Sequence, residues 1–120
     1  MVLCSGRVYY TLLAARRDRA IDDIAIVRVE QLYPCPSDEL QSIVASYPNV
    51  DEVLWTQEEP WNMGAWHSMH RRLLRVVPEK CVVEYVGRRA AASPAIGSYK
   101  KHQQEEADLL NNALGRRHAR

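Results

Sequence analysis

A three-layer α/β/α domain is predicted by three features of this sequence. Short apolar, β-branched runs alternate with segments of helical periodicity, strand before helix, four times along the chain. The run at residues 24–30, IAIVRVE, is nearly continuous in apolar character, as a strand covered on both faces should be. No internal repeat or low-complexity linker interrupts the rhythm. The α/β fold so implied has a mostly parallel sheet of four to five strands, right-handed crossovers and helices on both faces.

The elements follow in order. Residues 2–4 form a short first strand, and Ser5-Gly6 suits a helix start with Ser5 as N-cap. Val8, Leu12, Leu13 and Ala15 recur at helical spacing, with Arg16, Arg17 and Arg19 at the carboxyl end, where cations oppose the helix dipole. Residues 24–30 make the second strand. Pro34 and Pro36 then exclude regular helix, so the connector is rigid. Ser37 is expected to cap the next helix, with Asp38 and Glu39 in its first turn and Leu40, Ile43 and Val44 on its apolar face. Residues 52–57 form the third strand, ended by Glu58-Glu59-Pro60. A third helix is expected over 64–77, with Trp66, Met69, Leu73, Leu74 and Val77 at core spacing and Pro78 as its stop. Residues 81–86 form the fourth strand. A loop through Ser93-Pro94 leads to a last helix over 98–114, closed by Gly115.

The 120 residues allow one domain, read as 1–115 with a disordered tail at 116–120. Its apolar fraction of 47% fits a globular chain. A net charge of +1 exerts no global pull toward nucleic acid or anionic membrane. No apolar run approaches a membrane span, and no signal peptide is visible. Cys4, Cys35 and Cys81 are too widely spaced for a metal site or disulfide framework and read as reduced, mostly buried thiols. A first strand beginning at Met1 has no lead-in, which reads as a domain cut from a longer chain.

All three tryptophans fall in one run, residues 55–66, WTQEEPWNMGAW, at the carboxyl end of the third strand. In α/β folds that end is where ligands and partner domains meet. Glu58 and Glu59 have the chemistry of a general acid/base pair. Adjacent carboxylates on an extended chain point to opposite sides, so at most one faces a pocket, and fixing the loop or pairing across an interface is the preferred reading. His67 and His70, three apart on a helix, lack a third metal ligand at a recognised spacing, and solvated helix-face histidines are preferred. Arg88, Arg89, Ser93, Ser98, Tyr99 and Lys100 form the most basic neighbourhood, between a strand and a helix start. That geometry suits an anion, with a solvated or interdomain face as the alternative. No glycine-rich dinucleotide fingerprint, nucleophile elbow or P-loop occurs.

Several segments in this order resemble the C-terminal domain of the E1 component of 2-oxoglutarate dehydrogenase: residues 4–10 (CSGRVYY), 26–34 (IVRVEQLYP), 57–66 (QEEPWNMGAW), 85–88 (YVGR) and 93–102 (SPAIGSYKKH). The resemblance covers residues 2 to about 114. It implies a transketolase C-terminal-domain-like fold. It implies a homodimeric parent enzyme of the tricarboxylic acid cycle that decarboxylates 2-oxoglutarate with thiamine diphosphate and Mg²⁺ and passes the succinyl group to the lipoyl arm of E2. Related enzymes couple the step to other acceptors. The Gly-Asp-Gly start of the diphosphate site is missing from this sequence, so the chain alone is expected to bind no cofactor, to carry no catalytic residue and to be inactive. What carries over is structural: Gln57, Glu58, Glu59, Pro60, Asn62, Met63, Gly64 and Trp66 are expected at an interdomain or subunit junction, with the upstream E1 domains, the second E1 subunit and E2 as partners. The implied location is the bacterial cytoplasm, or the mitochondrial matrix in a eukaryote. The competing reading is a stand-alone anion- or nucleotide-binding regulatory module using the basic loop.

Overall fold

The computed structural model describes residues 1–32, 34–90 and 99–115. Four strands, β1 (Val2–Cys4), β2 (Ile26–Arg28), β3 (Glu52–Pro60) and β4 (Val82–Arg88), alternate with α1 (Val8–Asp18), α2 (Ser37–Ala45), α3 (Trp66–Val76) and α4 (Tyr99–Leu114). The strands form one sheet in the order β2-β1-β3-β4, every neighbouring pair parallel. The three-layer α/β/α expectation is met with four strands among the described residues.

Alternation along each strand sends side chains into two separate cores. Val2, Cys4, Leu54 and Val86 pack with Val8 and Leu12 of α1 and Leu109, Ala113 and Leu114 of α4. Leu3, Val53 and Trp55 pack on the other face with Leu40 of α2 and Trp66, Met69, Leu73 and Val76 of α3. Both faces are covered, which is why the strands read as apolar runs rather than as alternating ones. Cys4 is fully buried, and that burial pushes its thiol up to about 12, a shift Glu30 reinforces and Arg28 opposes.

The boundaries depart from expectation in instructive places. Ser5 is not an N-cap: α1 begins after Arg7, the chain turns at Gly6 with φ +76°, and the Gly6 N–H donates to Glu30 from the β2 side. Ser37 is the first residue of α2 rather than its cap, because Pro36 holds the preceding position and the Ser37 N–H is taken by the Cys35 carbonyl. β2 is shorter than 24–30. The third helix starts at Trp66, since Gly64 at φ +72° cannot be helical. The fourth strand runs to Arg88, so Gly87 and Arg88 belong to the sheet and not to the loop. The third strand likewise runs through Glu58 and Glu59 to Pro60. A ladder shift between Thr56 and Pro60 absorbs the irregularity, and Pro60 pairs with Arg88 at the strand end, where the proline's missing N–H costs little. Ser93, Ser98 and the tail at 116–120 lie outside the described residues.

Thr56 is fully buried between its ladder neighbours Cys4 and Val86, and its hydroxyl has no hydrogen-bond partner among the described residues. A buried hydroxyl that gave up water for nothing is a net cost. Thr56→Val is therefore expected to raise stability by about 1 kcal/mol, seen as a higher urea midpoint at unchanged slope. A lower midpoint would show that the hydroxyl is bonded.

Candidate functional site

β1 leads to β2 on one side, while β3 lies on the other, so the sheet's topological switch falls between the carboxyl ends of β1 and β3. Crevices at such points are the usual ligand and partner sites of open α/β sheets. Here two loops flank it, residues 5–7 after β1 and residues 61–65 after β3. Arg7 on the first meets Glu58 at the end of β3 at 3.5 Å. Both side chains are well exposed, so this pair contributes little to stability.

The loop after β3 is organised by one side chain. Gln57 is 2% exposed and points to the α2/α3 face, two residues on from Trp55. Its Oε1 accepts from the Trp55 indole Nε1 at 2.9 Å and from the Trp66 backbone N–H at 3.1 Å. Its Nε2 donates to the carbonyls of Met63 at 2.6 Å, Pro60 at 3.0 Å and Glu59 at 3.2 Å. Two amide hydrogens serve three carbonyls, so one bond is shared. The Trp66 N–H opens α3 and would otherwise be an unsatisfied helix-end donor, so Gln57 caps α3 from nine residues upstream. The close wrap requires Gly64, where a Cβ would lie 2.6 Å from Glu59 Oε2 and 3.0 Å from Gln57 Nε2.

Tyr85 closes the loop from β4. Its hydroxyl donates to the Arg88 carbonyl at 2.7 Å and lies 3.3 Å from that of Glu59. Burial pushes this phenol up to about 12, so it stays a donor well into the alkaline range. Tyr85 also packs against Trp66, with ring centroids 5.6 Å apart. The result is a fixed loop whose outer surface carries Trp61, 43% exposed, beside exposed Asn62 and Gly64. His67 meets Trp61 edge-on and His70 stacks on Trp66, each with centroids 4.5 Å apart. Both histidines are exposed. Among the described residues no three His, Cys, Asp or Glu side chains could hold a metal ion together.

Next to the loop, between α1 and α4, lies a cleft of about 570 Å³ bordered by Arg7, Thr11, Glu58, Glu59, Arg88 and Glu105, among others. Strict alternation would place only one of the two adjacent glutamates here, and the ladder shift after Thr56 brings both to its border. The Arg88 guanidinium is held by Glu105 at 2.7 Å, tying β4 to α4. Of the basic residues singled out from sequence, only Arg88 borders the cleft among the described residues, while Arg89, Tyr99 and Lys100 are exposed. Two features that hold the loop escaped sequence reasoning: the Gln57 cap and the Tyr85 clamp. The spacing Trp55-x-Gln57 followed by Gly64 and Trp66 was the available signal, but a side-chain cap acting across nine residues has no local pattern.

Comparison with known proteins agrees with the architecture. A family model described as 2-oxoglutarate dehydrogenase C-terminal matches residues 1–114. The chain is 46% identical over 116 residues to the 2-oxoglutarate dehydrogenase E1 component of Coxiella burnetii and 45% identical over 117 residues to that of Azotobacter vinelandii. Each match covers 95% of this chain and 12% of the relative. A multifunctional 2-oxoglutarate metabolism enzyme of a Mycobacterium species is 41% identical over 115 residues, covering 95% of this chain and 9% of that enzyme. The chain thus spans about an eighth of the length of the E1 relatives it matches. It belongs to the 2-oxoglutarate dehydrogenase C-terminal family.

Proposed function

We propose that this chain serves as the C-terminal domain of a 2-oxoglutarate dehydrogenase E1 component, acting as a structural docking unit rather than as the seat of the chemistry. The parent reaction would be the oxidative decarboxylation of 2-oxoglutarate, with succinyl transfer to the lipoyl arm of E2. The observation that carries this reading is the Gln57-pinned loop. A fully satisfied buried amide, a required Gly64 and the Tyr85 clamp hold a rigid surface at the sheet's switch point, where the residues from Glu58 to Trp66 meet the upstream domains or the second subunit. In this reading the metal and diphosphate sites would lie in those upstream domains; among the described residues no three His, Cys, Asp or Glu side chains could hold a metal ion together. The bacterial cytoplasm is the proposed location from its bacterial relatives, and no described helix is long and apolar enough to cross a membrane.

A chimera tests the reading. Residues 1–114 replace the corresponding C-terminal part of the Azotobacter E1, and 2-oxoglutarate-dependent reduction of ferricyanide is measured. The chimera is expected to retain activity of the same order as the parent, and an assembled but inactive chimera would sink the proposal. The cleft favours one second reading, direct anion binding by Arg7 and Arg88. An anion there must displace Glu58 or Glu105. The reading requires a melting-temperature rise with a nucleotide or acyl-CoA panel that Arg88→Ala abolishes. A melt indifferent to every member removes it.

A further inference from the structure

We infer that the outer face of α3 is a docking surface for an acidic segment of another polypeptide. The helix spans Trp66–Val76, sequence WHSMHRRLLRV, and contains no acidic residue. Its buried stripe is Trp66, Met69, Leu73 and Val76. On the opposite side His67, His70, Arg71, Leu74 and Arg75 fall on one continuous strip at 100° per residue, and all five are exposed. Leu74 is 55% exposed in the middle of that strip.

The contrast with α4 decides against an ordinary solvated face. α4 mixes both signs and engages them, His102 facing Glu106 and Gln104 donating to Asp108 at i,i+4 spacing, and Glu105 pairing with Arg88 of β4. α3 has no such pairs. Arg72 donates to the Leu32 carbonyl and so clips the connector onto the helix. Arg71 and Arg75 have no partner among the described residues. α2 packs beside α3 and carries Asp38 and Glu39 in its first turn, yet neither pairs with these arginines. Two Arg with no counter-charge among the described residues, set around an exposed Leu, give this face the arginine enrichment of interfaces. Arg forks select carboxylates and the exposed Leu74 offers an apolar contact, so the fitting partner is an acidic peptide segment bearing a hydrophobic residue. A nucleic acid fits less well, since its affinity comes from many cations and an exposed Leu adds nothing to phosphate contacts.

The test uses the whole chain and a fluorescein-labelled peptide of Glu and Asp with two Leu, followed by anisotropy at low salt. Binding is expected to weaken about tenfold in Arg71→Glu/Arg75→Glu and several-fold in Leu74→Ser. Arg17→Glu/Arg19→Glu, which makes the same charge change on α1, should leave it unaltered. Thermal melts check that each variant is folded. The inference fails if the wild-type chain does not bind the peptide, if the α3 reversal leaves binding intact, or if an oligothymidylate of equal charge binds as well.

Discussion

Replacing Gln57 by leucine is expected to cost the domain about 3 to 5 kcal/mol, a loss reserved for broken buried networks. The side chain is buried, and all five of its bonds run to groups within the same loop or core. Leucine fills similar space and returns nothing. The Trp55 indole N–H and the Trp66 backbone N–H lose their acceptor in a dry site, and the Met63 carbonyl loses the Gln57 donor, while the Pro60 carbonyl keeps its bond from the Met63 N–H. Each stranded group carries its own desolvation penalty of about 1 to 3 kcal/mol, less whatever water recovers at the loop rim. The melting temperature should fall on the order of 10 to 20 °C. Amide exchange at Trp66 should rise more than at Leu73, one face of the same helix but two turns from the cap. A drop below about 1 kcal/mol in urea titration would mean that the loop is held by something else.

Gln57→Glu separates shape from hydrogen bonding. The carboxylate keeps the acceptor for Trp55 and Trp66 but points a second oxygen at three carbonyls. That repulsion raises the carboxyl's folded-state pKa above its unfolded value, so the protonated form is the one that folds. The variant should therefore be least stable at neutral pH and recover as pH falls toward the ordinary carboxylate range.

What the sequence made legible follows from the range of the forces involved. The strand and helix order was readable because both sheet faces are covered, so Leu3, Val53 and Trp55 alternate with Val2, Cys4 and Leu54 in two cores of equal apolarity. Composition alone records that. Caps were not readable, because Ser5 and Ser37 look like N-caps, whereas the turn before α1 is held by Glu30, just past the neighbouring strand β2, through the Gly6 N–H, and α3 is capped by Gln57 at the Trp66 N–H. Pro60 looked like a strand stop and is a strand end, since a ladder shift lets it return to pair with Arg88. At the site, the run from Gln57 to Trp66 was located by its density of unusual residues, whereas the division of labour within it was not. From the sequence Arg88 reads as part of a basic neighbourhood between a strand and a helix start, suited to an anion or to a solvated or interdomain face. Strand extension places it against Glu105, which a one-dimensional pattern cannot foresee.

Gly87→Ala is the second large effect, and it probes the other side of the loop. A Cβ at this position would lie 2.5 Å from the Tyr85 hydroxyl, 2.8 Å from its Cζ and 3.0 Å from the backbone oxygen of Gln57. The ring is not a loose end that can swing away, because its hydroxyl bonds the Arg88 carbonyl and its face packs on Trp66. The Gln57 oxygen belongs to β3 and moves only with the sheet. Either the tyrosine leaves its carbonyl or β3 and β4 part at their carboxyl ends, and overpacking of this kind costs about 2 to 3 kcal/mol. Tyr85→Phe removes the nearest clashing atom along with the hydrogen bond. The alanine should therefore cost less in the Phe background than in the native one, with a coupling of about 1 kcal/mol. Additive losses would show that the backbone contact with Gln57 dominates. The phenol supplies an independent readout. Its folded-state value of about 12 stands above the ordinary 10, so its contribution is complete below pH 10 and is lost as pH rises toward 12. The native chain should lose stability through that window, and Tyr85→Phe should lose less. An unchanged alkaline profile in the Phe variant would assign the alkaline loss to Cys4, whose buried thiol also titrates near 12.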